Sequence, residues 1–184
     1  FARIEEEWQC PFEVFNDGDV TALAGAIAMK RTGILGMAMG SSEAVGYINP
    51  KGALTGRINE LAFAPVDLNP NAPKDEWSGD AGVGAMYFSQ QAVDHLARLF
   101  GFKFPKSMKL PERLKVVQEA MEKHDEKALR VYLMIGRYLA NAAAWYREFY
   151  DYSNLMVLGR VTSGFGGEVI LNTAKMGLEA VDPY

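Results

Sequence analysis

The chain has 184 residues, 49% of them apolar and 23% charged, which is enough for one substantial core and short for two full domains. A formal net charge of -4, with 19 basic residues scattered rather than clustered, excludes a surface built to neutralise nucleic-acid phosphates or anionic lipid. One cysteine, Cys10, and two histidines, His95 and His124, exclude a disulfide framework and a four-ligand Cys/His zinc site. No apolar run approaches the roughly 18 to 20 residues of a bilayer span, and the acidic run Glu5-Glu6-Glu7 is unlike a signal peptide, so a cytoplasmic protein is expected.

In chain order, residues 12–15 read as a strand, reached so soon after Phe1 that a preceding segment is expected. The strand runs into Phe15-Asn16-Asp17-Gly18-Asp19, followed over residues 20–30 by a helix of small side chains, among them Ala22, Ala24, Gly25, Ala26 and Ala28. Apolar runs at 32–39 and 44–49, separated by Gly40, Ser41, Ser42 and Glu43, predict a β-hairpin. A third strand is expected over 57–66, after the turn Asn49-Pro50-Lys51-Gly52 and the break at Gly56.

Residues 67–84 carry proline, asparagine and glycine in the pattern of a long exposed connection, a kind of loop that is often functional. Helices are predicted over 86–100, 111–124 and 125–150, with Pro111 suited to a first turn and Asp125 to a cap. Leu129, Leu133, Gly136, Leu139, Ala140 and Ala143 recur at helical spacing in the third and mark a buried face. Residues 154–161 read as a buried strand, residues 162–167 as a glycine-rich turn, and the chain then as a helix to Gly177. No internal repeat or interdomain linker interrupts this order, which describes a mixed α/β layer architecture.

Four places could carry chemistry. Asp17 and Asp19 stand where a helix begins, so each is either an N-cap or a carboxylate held ionised by the helix terminus as an acceptor for a hydroxyl proton. Gly40, Ser41 and Ser42 form either an ordinary hairpin turn or one whose small residues let backbone N–H groups and hydroxyls approach a phosphate. The stretch from Gly159 to Gly167 is neither a dinucleotide fingerprint nor a P-loop, yet a buried strand emptying into a glycine turn suits a nucleotide. Glu60 interrupts an apolar run, facing either solvent or a ligand. His95 and His124 lie in helical stretches with no triad partner and are read as surface residues.

The order of these pieces is more specific than any one of them: NDGDVTALAGA, a strand into GSS and a second strand, GRINELAFAPV, a helical block, then VLGRVTSGFGG. Over nearly its whole length the chain resembles the C-terminal lobe of the ROK (repressor, open reading frame, kinase) family of glucokinase-like sugar kinases, in the actin-like and hexokinase ATPase superfamily. The resemblance implies an RNase H-like lobe with a mixed sheet, flanking helices and a helical insertion over about residues 85–150. It implies Asp17 as catalytic base, Asn16 and Glu60 as sugar contacts, and Gly40, Ser41 and Ser42 as the phosphate turn. Gly159, Ser163 and Gly164 would lie near the adenosine, with ATP and Mg²⁺ as cofactors; no metal held by the protein itself is expected, because the family's cysteine-rich zinc motif is missing here.

The chain also departs from the family pattern. Phe63 stands where the family has a histidine, and the cysteine-rich zinc motif is missing from residues 67–84. Ser42 and Glu43 replace a glycine and an apolar residue, and Glu43 is expected to place negative charge where a polyphosphate should sit. The Asp-Gly-Gly-Thr motif of the family's N-terminal lobe is absent, so the chain is expected to be one lobe that needs another to catalyse. The expected function is ATP-dependent phosphorylation of a sugar hydroxyl, with a non-catalytic sugar or nucleotide sensor as the alternative. The partners are then a sugar, ATP, the missing lobe and a second copy in a homodimer, with neither nucleic acid nor membrane. An assembly surface built on Trp145, Tyr146, Phe149, Tyr150 and Tyr152 is a third reading.

Overall fold

The computed structural model describes residues 2–11 and 15–181. Of the strand expected over 12–15 only Phe15 lies within them, and it belongs to no regular element. The elements run α1 (Ala2–Trp8), α2 (Asp17–Met29), β1 (Ile34–Met39), β2 (Glu43–Ile48), α3 (Gln90–Leu99), α4 (Leu110–Glu122), α5 (Glu126–Tyr146), β3 (Asn154–Leu158) and α6 (Phe165–Val181). Short 3₁₀ turns lie at Leu61–Phe63, Gly84–Met86 and Arg160–Thr162. The mixed α/β reading holds for the described residues, while α1 is an addition that the sequence reading did not contain.

β1 is the centre of a three-stranded sheet of order β2-β1-β3. It pairs antiparallel with β2, from Ile34 opposite Ile48 to Met39 opposite Glu43, and parallel with β3, from Ile34 opposite Asn154 to Ala38 opposite Leu158. Alternate side chains of a strand take opposite faces. Leu35, Met37 and Met39 of β1, with Val45 and Tyr47 of β2, therefore join the large core under α3 to α6, and Ile34 and Ile48 join Ala22 and Ala26 of α2 on the other face.

α2 lies unusually close to the sheet. A methyl group at Gly46 would fall 2.0 Å from the Gly18 carbonyl oxygen, and one at Gly18 would fall 2.2 Å from that of Val45, so only glycine at both positions permits this approach. The three central helices follow the capping chemistry of their sequences. Pro111 sits in the first turn of α4, and the Asp125 carboxylate accepts the N–H groups of Lys127 (2.8 Å) and Ala128 (3.0 Å) at the start of α5. The expected face of α5 is buried at Gly136, Leu139, Ala140 and Ala143 and half-buried at Leu129 and Leu133.

Several boundaries differ from expectation. No strand forms over 57–66: Gly56 has φ +67, Glu60 leaves the extended region, and Leu61–Phe63 winds into a 3₁₀ turn. Residue 54, not this segment, touches the edge of β2, through a single bridge between Leu54 and Ile48. β3 stops at Leu158 instead of residue 161, because Gly159 turns the backbone at φ +110. α5 ends at Tyr146, four residues early, and α6 continues to Val181. The connection over 67–84 is mostly exposed but carries bridges Lys74 to Ala81 and Pro65 to Val83, with Asp75 and Val83 buried. Of the aromatic cluster, Tyr146, Tyr150 and Tyr152 are core residues, and only Trp145 and Phe149 face solvent, as a T-shaped pair 4.9 Å apart. His95 and His124 are both exposed.

Candidate functional site

Three pieces of backbone meet at the ends of β1 and β3. Because the two strands are parallel, the turn after Met39 and the turn after Leu158 open on the same side of the sheet, and the crevice beyond the carboxyl ends of parallel strands is where open α/β sheets bind ligands. The N-terminus of α2 reaches the same end, since Gly18 rests on Val45 and Gly46 near the start of β2.

The start of α2 is built by Asn16, not by an aspartate. Asn16 is the N-cap, in extended backbone, and its Oδ1 accepts the Gly18 N–H at 2.8 Å. Asp17 is the first helical residue and shares that N–H through its Oδ1 at 2.9 Å. This corrects the reading of Asp17 or Asp19 as the cap. With capping assigned to Asn16, the Asp17 carboxylate lies at a helix N-terminus, exposed, with lone pairs to spare.

The segment after Gly56 is fastened to this helix by two adjacent side-chain pairs. Asn16 Nδ2 donates to Glu60 Oε1 at 3.2 Å, and the buried Asn59 donates through Nδ2 to Asp19 Oδ1 at 2.9 Å. These bonds tie residues 59 and 60 to the start of α2 instead of to a strand edge, although the buried Asn59 Oδ1 has no hydrogen-bond partner. Asn59 does not line the cleft itself but fastens the segment beside it, a role whose one signal in the sequence is its place next to Glu60 in an otherwise apolar run.

The hairpin turn is held from beneath. The Gly40 N–H donates to the Ser42 carbonyl at 2.9 Å, and the Gly40 carbonyl accepts the Gln90 N–H at 2.9 Å, so the turn is seated on the first turn of α3. Ser41 and Ser42 are exposed. Glu43 behaves differently from expectation. As the first residue of β2 it shares the core face with Val45 and Tyr47, is only 5% exposed, and neither carboxyl oxygen has a hydrogen-bond partner. Burial pushes its pKa up to about 8, so at neutral pH it is largely protonated and lends the turn little negative charge. The Tyr146 hydroxyl, which also has no partner, is raised by its own burial and by this carboxyl.

Asn16, Asp17, Gly40, Ser41, Ser42, Glu43 and Glu60 line one cleft of about 280 Å³, completed by Ala38, Ala44 and Val45. Gly159, Ser163 and Gly164 do not line it. Gly159 rests against the end of β1, where a methyl group would fall 2.5 Å from the Met39 carbonyl oxygen. Its own carbonyl accepts the Thr162 and Ser163 hydroxyls, and Gly164 sits beside Glu122 of α4. The second turn thus flanks the cleft on the β3 side.

No protein-family model and no curated protein matches the chain. Solved structures do. A ROK hexokinase from Thermus thermophilus superposes with a TM-score of 0.72 at 19% identity, covering 96% of this chain and 59% of that one. A ROK glucokinase from Streptomyces griseus in complex with glucose and AMPPNP gives 0.72 at 19%, covering 97% and 61%. A ROK-family transcriptional regulator, homologous to the Escherichia coli MLC protein, gives 0.75 at 18%, covering 97% and 46%. The chain has the fold of these ROK proteins over the matched region, so the resemblance carried by its motif order holds in three dimensions. It spans about three fifths of the length of the two kinases and about half that of the regulator. Among the described residues, no helix is long and apolar enough to cross a membrane.

Proposed function

We propose that the chain is the C-terminal, actin-like lobe of a cytoplasmic ROK-family sugar kinase and supplies the catalytic base and half of the nucleotide site. The observation that carries the reading is the meeting in one cleft of Asn16, Asp17, the Gly40–Ser42 turn and Glu60, which are distant in sequence. Asn16 and Glu60, already paired at 3.2 Å, would hold sugar hydroxyls. The Asp17 carboxylate would accept the proton of one hydroxyl as its oxygen attacks the γ-phosphorus of ATP in line and ADP leaves.

The turn suits a polyphosphate. It offers backbone and the hydroxyls of Ser41 and Ser42, and its carboxyl, Glu43, is turned inward and mostly neutral. Among the described residues, no three His, Cys, Asp or Glu side chains converge to hold a metal ion, so Mg²⁺ would be carried in on the nucleotide. It would supply charge neutralisation for the transferring phosphoryl group. A second lobe would close the cleft and exclude water, and Gly159, Ser163 and Gly164 would flank the adenosine.

The test is phosphorylation of a panel of hexoses, amino sugars and N-acetyl sugars by the complete reading frame, beside its Asp17→Asn variant. The expected result is ATP-dependent turnover that falls about 10²- to 10⁴-fold in the variant. Equal turnover in the two proteins would remove Asp17 from the chemistry. The regulator among the similar structures and Phe63 in place of the family's histidine favour a second reading, a sugar sensor. Sugar binding by the folded protein with no ATP turnover would select it.

A further inference from the structure

Glu43 is a carboxyl in a place where an apolar side chain would pack without penalty. It opens β2 directly after the turn, lines the cleft, and is buried on the core face with no hydrogen-bond partner for either oxygen. Gly84 shows where the carboxyl is aimed. A Cβ there would stand 2.2 Å from Glu43 Oε2 and 2.5 Å from the Leu61 carbonyl oxygen, so both oxygens crowd over the same bare glycine. Leu61 follows Glu60 in the chain, and its carbonyl closes the 3₁₀ turn by accepting the Ala64 N–H at 3.0 Å. The Gly84 N–H donates in turn to the Ala64 carbonyl at 3.0 Å, which fastens the turn to the glycine.

Two oxygens set side by side repel unless a hydrogen lies between them, and a carbonyl has none to give. The carboxyl can supply it, since burial pushes its pKa up to about 8. The Leu61 carbonyl keeps a second lone pair to receive it. β1 sets Met39 opposite Glu43, the first turn of α3 brings the uncharged Gln90 to the turn, and α5 brings the Tyr146 hydroxyl, itself held neutral by burial with Tyr150 and Tyr152 behind it. Asp17 and Glu60 line the same cleft, and among the described residues no basic side chain lines it, so these surroundings do not favour the charged form of Glu43.

We propose that Glu43 is a positioning residue that couples the two sides of the cleft: its carboxyl hydrogen reaches the Leu61 carbonyl and so holds the backbone that presents Glu60 against the end of the phosphate turn. This rests on the sugar-binding reading of the cleft. Loss of that hydrogen sets a carboxylate against a carbonyl oxygen. The Glu60 turn is then the part that gives way, because β2 is held by its ladder and the turn is not.

The experiment follows the complete reading frame and its Glu43→Gln and Glu43→Met variants from pH 6 to 9, by kcat and KM for ATP and for the fastest sugar of the hexose panel, and by the amide resonances of Leu61–Ala64. In the unsubstituted protein the KM for sugar is expected to rise about tenfold between pH 7 and 9, corresponding to about 1.4 kcal/mol, with kcat and the KM for ATP within about twofold. Glu43→Gln, whose amide donates at any pH, should keep the low KM throughout. Glu43→Met, with no hydrogen to donate, should show the raised KM at every pH. The Leu61–Ala64 amides should titrate with a midpoint near pH 8 in the unsubstituted protein and in neither variant. Amides that do not titrate, the same slope in Glu43→Gln, or a rise confined to the KM for ATP overturns the coupling, the last by making Glu43 a charge beneath the phosphates. Titrating amides with no turnover or binding of any sugar overturn the kinase reading and leave the contact between Glu43 and the Leu61 turn standing.

Discussion

The hairpin of β1 and β2 and the segment from Gly56 to Gly84 line or flank the same cleft and are held by opposite means. The hairpin is fixed by a six-pair backbone ladder and by α2 pressed so closely on it that no side chain fits between Gly18 and Gly46. The segment is held to itself by two isolated bridges, scattered turn-type backbone bonds and the Asp75 carboxylate that accepts from Trp77 and Ser78, and side-chain hydrogen bonds tie it to the elements around it: Asn16 to Glu60, Asn59 to Asp19 and Tyr87 to Asp67. The residues proposed for phosphate binding and proton transfer therefore sit on or against packed backbone, where positions are over-determined. Of the two proposed sugar contacts, Asn16 caps α2, whereas Glu60 sits on a loop whose bonds can be exchanged one by one.

The largest test of this contrast is a methyl group. Gly46→Ala places a Cβ 2.0 Å from the Gly18 carbonyl oxygen and is expected to cost more than about 3 kcal/mol or to prevent folding. Gly79→Ala, in open space at φ +79, is expected to cost only about 1 kcal/mol. Urea unfolding of both variants checks the pair, and similar losses would erase the distinction.

The next test is the buried acid under the turn. The Glu43 pKa rises from 4.5 to about 8 on folding, so the folded state retains a proton that the unfolded chain releases. Stability from this group is fullest below about pH 4.5 and is lost as pH rises toward about 8, at up to about 1.4 kcal/mol per pH unit. Glu43→Gln is expected to remove that slope, so its advantage over the unsubstituted protein grows from pH 5 to 8 and then levels off. Parallel pH dependences in urea unfolding would show that Glu43 keeps its charge. The smallest effect is expected on the loop: Asn59→Ala loses one hydrogen bond to Asp19, about 1 kcal/mol. It should raise the KM for sugar while leaving that for ATP alone, and a shift in the ATP KM instead would mean that this bond serves the turn.

The same contrast explains what could be read from the sequence. The hairpin, the capped helices and β3 were legible because their side chains repeat at strand or helical spacing. Even the burial of Glu43 was there to be read in its alternation with Val45 and Tyr47, but placing it in the turn hid that face. Residues 57–66 misled because Ile58, Leu61, Ala62 and Phe63 are apolar, yet Ile58 is 86% exposed and the segment's conformation is set by partners about 40 residues away. No local pattern encodes such pairs. The site residues came from motif order, and the cleft brings six of the nine together, while Gly159, Ser163 and Gly164 lie beside it.

The close seat of α2 also bears on the order of folding. This helix holds two glycines and several β-branched residues, and its side chains are apolar on nearly every side, so little favours it in isolation. During synthesis it leaves the ribosome before β1 and β2, and even in the finished fold its Val20 and Ile27 stay open to water. We expect α2 to condense only once the hairpin exists, so that the Asn16–Asp17 corner is among the last parts of the fold to form. Pulsed hydrogen exchange in which α2 amides become protected before those of β2 would reverse that order.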